Sequence, residues 1–268
     1  MNQAVSIQKL ADFHTDSDQL LLRDVYQFYS SKLIDELAVV DYIYDRGFSD
    51  NSIDVFQMGY TNRLLHQLLD DSPSLKQDRG KLKRLGLIKT ETGHELFNGC
   101  ITIPVMSNGR ILGGYGRRAR PDIRMNAVIR PFHLLDEAAL FNQDCLLDMP
   151  ETILLTKSPI EAISLMQMGF DSVIGFIGEP ELIPAHIAML LNAKVNTVKM
   201  LLDASNDYEQ AKLLAIASML NQSGIECQCA NLENYIDVNH LLARFSNGNK
   251  IANQVIKQAK LVSGNGFE

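Results

Sequence analysis

The chain has 268 residues, 46% of them hydrophobic, and a formal net charge of −7 from 25 Lys+Arg and 32 Asp+Glu. That composition can bury a core and excludes disorder as a description of the whole chain. No run of about 18 apolar residues occurs, which excludes a transmembrane helix.

Residues 1–20 read as an N-terminal extension without the basic-then-apolar layout of a signal peptide, so a cytoplasmic protein is expected. Residues 21–145 read as a first domain. Leu22, Val25, Tyr26, Tyr29, Leu33, Leu37, Val40 and Ile43 recur at helical spacing and predict one or two amphipathic helices over 19–44. Arg46-Gly47-Phe48-Ser49 stops them, and Ser49 or Asp50 can cap a short helix over 51–56. Further helices are expected over 62–69 and, basic in character, over 76–85, the latter ending at Gly86 as a left-handed cap. A strand over 101–105 leads to Asn108-Gly109, a hairpin signal, and Ile111-Leu112 begins the return strand. Gly113, Gly114 and Gly116 are expected to interrupt it before Arg117 and Arg118. Those glycines either allow bulges or close backbone packing, or let the arginines project toward a phosphate backbone.

Charge follows this organisation. Residues 76–133 hold twelve Lys/Arg and four Asp/Glu, a local +8, so the rest of the chain carries −15. A basic face on an acidic protein is a phosphate-binding footprint or, more plainly, an ordinary solvated surface. Its candidate contacts are Lys81, Lys83, Arg84, Arg110, Arg117, Arg118, Arg120 and Arg124. Only Tyr115 lies among the arginines and Trp is absent, so base stacking contributes little.

Residues 146–245 alternate in character. Strands over 152–156, 172–176, 197–202 and 227–230 are separated by helices reaching Met168, over 184–191 and over 208–223. This order implies a parallel sheet with helices on both faces. Residues 246–268 read as a helix over 250–261 and a frayed end. The fold class is therefore α/β, an N-terminal α+β subdomain followed by a parallel sheet flanked by helices. Cys100, Cys145, Cys227 and Cys229 lack paired zinc-site spacing and are expected as free thiols in a reducing compartment.

Ligands of open parallel sheets bind beyond the carboxyl ends of the strands. Those ends carry Lys157 and Asp203, with Glu161 one turn beyond Lys157 and Asp237 before the helix over 239–243. Converging carboxylates can hold Mg²⁺, yet a loop acid is more often a helix cap, and Lys157 would compete for the same carboxylates.

The order of these segments resembles the RNA-polymerase core of bacterial replicative DNA primases of the DnaG type, with a degenerate Toprim domain in the second half. Tyr44-Asp45-Arg46-Gly47-Phe48 resembles the family's YLxxRG(L/F), Phe56-Gln57-Met58-Gly59-Tyr60 its FxxGY, and Gly86-Leu87-Ile88 its GL(I/L). Ile103-Pro104-Val105 and the run from Gly109 to Arg117 resemble the FPI…GRVIGFGGR hairpin, and Asn126 and Phe132-His133 fit a later segment loosely. In the Toprim half, Thr156-Lys157-Ser158-Pro159-Ile160-Glu161 resembles vEGpxD, Asp203-Ala204-Ser205 resembles DxD, and Asp237-Val238-Asn239-His240 resembles DPxD. The resemblance implies that Lys157, Ser205 and Asn239 stand where the family has acids. It also implies that Cys100 stands where the family has an arginine. Glu161, Asp203 and Asp237 are the acids retained.

Three acids replaced by Lys, Ser and Asn change the local charge by +4, and losing even one charge contact to a transition state costs hundreds-fold or more in rate. The resemblance thus implies a catalytically impaired primase-like protein that binds single-stranded DNA or a DNA–RNA hybrid, or a replication partner, with no cofactor. A second reading is an active primase in which Asp203, Glu161 and Asp237 hold Mg²⁺ or Mn²⁺. A third is a non-enzymatic interaction protein or replication inhibitor docking on a helicase, a primase or a copy of itself. No membrane association is expected, and a primase-like core without the family's flanking segments fits a mobile-element factor. Lys157 is read either as an internal cation bridging Asp203 and Glu161 or as a drifted surface lysine.

Overall fold

The computed structural model describes residues 15–65, 67–68, 79–119, 131–202, 206–232, 235–263 and 266–267. The expectations for Arg120, Arg124, Asn126, Asp203 and Ser205, and for parts of the helices over 62–69 and 76–85, lie outside those residues. The chain divides into two compact units, one of residues 1–43 and 49–139, the other of residues 44–48 and 140–268.

In the first unit, helix α1 (Asp16–Leu33) starts at a reciprocal cap. Thr15 Oγ1 accepts from Asp18 N at 3.3 Å, and the Asp18 carboxylate accepts from Thr15 N at 3.1 Å. Its stripe of Leu21, Leu22, Val25, Tyr26, Tyr29 and Leu33 is buried and packs on a four-stranded antiparallel sheet. That sheet runs in chain order, β1 (Gly59–Thr61), β2 (Cys100–Ser107), β3 (Arg110–Arg118) and β4 (Phe132–Leu134). Helix α2 (Leu37–Asp45) follows α1 as a separate element, and α3 (Asp50–Val55) is capped by Ser49. The basic helix α4 (Arg79–Arg84) ends before Gly86, whose φ of +77° is the left-handed conformation expected of it. Asn108 (φ +48°) and Gly109 (φ +72°) close the β2–β3 hairpin, because a two-residue turn matching the strand twist needs both φ values positive.

Strand β3 differs from expectation. It continues through Gly113, Gly114 and Gly116, with one register shift against β2 where Val105 faces Gly113 and Met106 faces Ile111, and pairs as far as Arg118↔Cys100. A Cβ at residue 114 would overlap the Tyr26 hydroxyl, and one at residue 116 would sit 2.6 Å from Phe97. At both positions the missing side chains make room for neighbours, so close packing accounts for them.

The second unit holds a six-stranded sheet in the order β10-β9-β8-β7-β5-β6, from β5 (Thr152–Thr156), β6 (Val173–Gly175), β7 (Thr197–Leu201), β8 (Glu226–Cys229), β9 (Lys260–Ser263) and β10 (Gly266–Phe267). Strands β8, β7, β5 and β6 are parallel, linked by α5 (Pro159–Gln167), α6 (Pro184–Asn192) and α7 (Asp207–Gln222). Strand β5 lies inside, with Ile153, Leu154, Leu155 and Thr156 all buried, as a parallel sheet covered on both faces requires. The end of the chain departs from the frayed helix expected of it. Helix α8 (Val238–Arg244) leads to α9 (Gly248–Lys257), after which β9 adds antiparallel to β8 and β10 to β9. Val262 is buried in the core, so this strand is held by apolar packing as well as by its ladder. No helix among the described residues is long and apolar enough to cross a membrane.

Candidate functional site

The second unit places Lys157 directly after β5, at the carboxyl end of an inner parallel strand, where such sheets bind ligands. Thr156, wholly buried, shares its one hydroxyl proton between Ser158 O at 3.1 Å and Ile174 O at 3.3 Å, which fixes the turn that follows. Ser158 then caps α5, accepting from Glu161 N at 3.5 Å, and Pro159 takes the first helical position. This turn puts Lys157 and Glu161 on one face, four residues apart. The Lys157 ammonium lies 3.4 Å from Glu161 Oε1, with the lysine side chain 21% exposed and the glutamate 3%.

The ammonium therefore serves Glu161, as one of the two readings of Lys157 required; the Asp203 half of that reading lies outside the described residues. At an effective dielectric of about 20, the attraction across such a distance is roughly 5 kcal/mol, offset by the cost of taking both charges out of water. A divalent ion bound at Glu161 would compete with this ammonium for the carboxylate and be repelled by it. The other positions are also engaged. Asp237 is the N-cap of α8, its Oδ1 accepting from His240 N at 2.8 Å. Asn239 is buried, and its amide is a connector. Its Oδ1 accepts from Arg46 Nη1 at 2.7 Å, and its Nδ2 donates to Arg46 O and to Ser164 Oγ, both at 3.0 Å. Gln167 Nε2 donates to Gly47 O at 2.6 Å, so the segment 44–48 is tied to α5 and α8 through side-chain amides.

Of the described positions, none is set for a divalent metal ion: the Glu161 carboxylate is held by an ammonium, the Asp237 carboxylate caps a helix, and Asn239 donates two hydrogen bonds that a carboxylate cannot supply. Among the described residues no group of three or more His, Cys, Asp or Glu is arranged to hold a metal.

The first unit distributes the basic candidates unequally. Arg84 is forked onto the Asp18 carboxylate, Nη2 to Oδ1 at 2.6 Å and Nη1 to Oδ2 at 3.3 Å, and so ties α4 to the start of α1. Asp18 is buried, and its hydrogen bond to Arg84 holds its carboxyl below the ordinary value of 3.8. Arg110 lies 3.5 Å from the exposed Asp16. Lys81 and Lys83 on α4, and Arg117 and Arg118 at the end of β3, are half-buried. Successive strand residues point to opposite faces, so the two arginines address different sides of the sheet. Tyr115 is buried and cannot offer its ring to a base. Cys100 pairs across the ladder with Arg118; burial pushes its thiol up to about 12, so it supplies no charge.

The partners that sequence reading did not assign are Asp18, Arg46 and Ser164. Arg46 carried a motif signal but was read as a helix stop. Asp18 and Ser164 carried none, because their partners are 66 and 75 residues away.

A four-stranded antiparallel sheet packed by a helix, then a largely parallel sheet joined by helices, is an arrangement this chain shares with known proteins. Residues 28–127 match the family model described as the DNA primase catalytic core, N-terminal domain. The chain is 24% identical over 166 residues to a DNA primase of Pasteurella multocida, covering 59% of this chain and 28% of that one. It is 25% identical over 199 residues to one of Helicobacter pylori, covering 70% and 35%. It thus spans about a third of the length of these curated relatives. Among solved structures, the zinc-binding and RNA polymerase domains of the Aquifex aeolicus primase superpose with a TM-score of 0.73 at 20% identity, covering 91% of this chain and 61% of that one. The RNA polymerase domain of Mycobacterium tuberculosis DnaG, in complex with a double-stranded DNA oligomer with an overhang, superposes at 0.72 and 16% identity, covering 91% and 81%. A DnaG primase catalytic domain bound to single-stranded DNA superposes at 0.71 and 19% identity, covering 90% and 81%. The fold is thus that of DnaG-type primase catalytic cores.

Proposed function

We propose that this protein is a catalytically impaired primase core that binds nucleic acid in DNA replication, in the cytoplasm, without a divalent cofactor. The observation that carries the reading is the Lys157–Glu161 pair at the carboxyl end of β5. Primer synthesis needs charge stabilisation at the transferring phosphoryl group, and metal ions are its usual source. Here a fixed ammonium holds the acid that would bind such an ion, and Asn239 is an amide engaged on both sides. Nucleic-acid binding is supported by the local excess of Lys and Arg over 76–133 and by the DNA complexes of the structural relatives.

The test is primer synthesis by the purified protein on a single-stranded template with four ribonucleotides and Mg²⁺ or Mn²⁺. No primers are expected, while the same template is bound. Primers that disappear in an Asp203→Ala variant would replace this reading with that of an active primase. Failure to bind template, together with a stable complex with a replication protein at high salt, would replace it with that of an interaction protein.

A further inference from the structure

We infer that the first unit carries a pocket for a terminal phosphate, the end group of a nucleic-acid strand or of a free nucleotide, with Arg63 and Arg79 as the residues that hold it. The inference rests on the reading that this protein binds nucleic acid and gives that reading an end-specific contact. The basic residues marked from sequence are partly spent: Arg84 is forked onto Asp18, and Arg110 lies against Asp16. Two exposed arginines outside that set line one concavity of about 180 Å³. Arg63 reaches it from the turn just after β1, and Arg79 from the first residue of α4. The exposed His94 lines it as well, and the buried Leu65 and Ile88 supply apolar wall. The acid of the lining, Glu95, is already engaged. Its Oε2 accepts from Thr61 Oγ1 and its Oε1 from Leu65 N, both at 2.7 Å. Two guanidinium charges against one carboxylate leave the lining net positive.

The wall is also held in shape. Ile88 and Glu95 pair as an antiparallel bridge, and Gly93 turns between them with a φ of +68°. The Gly93 carbonyl accepts from Arg79 Nη2 at 3.1 Å, which steadies that guanidinium. Arg63 has a left-handed backbone (φ +60°), uncommon outside glycine and sustained only when the surrounding structure holds it. An arginine already held loses less freedom on taking an anion, and its fork matches the oxygens of a phosphate. Size decides what enters. The concavity holds about six waters at ~30 Å³ each, room for a phosphate group and not for a run of strand. A phosphate monoester carries close to two charges near neutral pH, where an internal phosphodiester carries one. A small, net positive pocket therefore favours the end over the middle of a strand.

The test is fluorescence anisotropy of the full chain with an internally labelled oligodeoxynucleotide that carries a 5′-phosphate, a 3′-phosphate or hydroxyls at both ends. At least one phosphorylated strand is expected to bind roughly tenfold tighter than the hydroxyl-ended one, the gain of one charge-assisted contact. Arg63→Gln/Arg79→Gln is expected to lose that gain. Either single substitution is expected to lose about threefold of it, which serves if the double variant does not fold. Competition by a nucleoside monophosphate separates the two sources. Loss of the gain assigns the pocket to free nucleotides as well, and a gain that persists assigns it to strand ends. Equal binding of all three strands overturns the inference and leaves nucleic-acid binding intact, as does a gain that survives the double substitution. If no strand binds, the functional reading falls, and calorimetric titration of the nucleoside monophosphate decides the inference alone. Binding that Arg63→Gln/Arg79→Gln removes upholds it, and no binding overturns it.

Discussion

Asn239 is a structural connector whose bonds a carboxylate could not make. A carboxylate accepts only, whereas this amide accepts from Arg46 Nη1 and donates to Arg46 O and Ser164 Oγ. Its burial makes each bond count, because a buried polar group left without a partner costs more than an exposed one. Asn239→Ala would remove the donor to the Arg46 carbonyl and the link to Ser164, and would loosen the segment 44–48 from α8. We expect a loss of about 2–3 kcal/mol of unfolding free energy, read from urea midpoints at unchanged slope. A loss below about 0.5 kcal/mol would mean that water replaces the amide without cost. Lys157 stands at the same scale, where a change of one side chain reverses the sign of charge beside a buried acid.

At the scale of elements, charge holds α4 to α1. Asp18 serves its own helix as the returning half of the Thr15 cap and serves α4 as the acceptor of the Arg84 fork. Because Arg84 holds the Asp18 carboxyl below its ordinary value, the folded state binds this proton more weakly than the unfolded chain does. The contribution is then fully present above the ordinary carboxylate pKa and is lost as the pH falls through the lowered folded value. We expect the stability difference between the parent and Asp18→Asn to be constant between about pH 7 and 5 and to narrow below roughly pH 4, read from urea unfolding at each pH. A difference that does not change with acid would show that the fork contributes nothing beyond a neutral hydrogen bond. Arg84 is half exposed, so the same contact leaves part of its guanidinium open to solvent.

At the scale of the whole chain, acid excess and a basic segment coexist, and nucleic-acid binding should follow the segment. For single strands the slope of log affinity against log salt is about −0.7 for each neutralised phosphate. If Lys81, Lys83, Arg110 and Arg117 each meet one phosphate, binding of a labelled oligodeoxynucleotide should fall with a slope near −3, read by fluorescence anisotropy. Arg117→Ala should make the slope shallower by about 0.7 with little dependence on base sequence. A flat response between low and moderate salt would exclude a phosphate-tracking interface.

The sequence by itself determined the alternation of elements. Helical spacing in α1, the Asn108-Gly109 turn, the strand–helix order of the second unit and the caps at Ser49 and Gly86 are local facts, and local rules of backbone and periodicity read them. It also marked Lys157 and Glu161, because the carboxyl end of a parallel strand and the turn after it are where such sheets place their sites. Tertiary structure decided the rest. Strand β3 continues through its glycines because Tyr26 and Phe97, distant in the chain, fill the space the side chains vacate. The last residues form β9 because β8 offers a ladder edge and the core an apolar slot for Val262. Arg84 and Asn239 acquired partners from 66 and 193 residues away, Asp18 and Arg46. A contact of that separation leaves no periodic trace in sequence, since nothing but the folded backbone brings its two ends together.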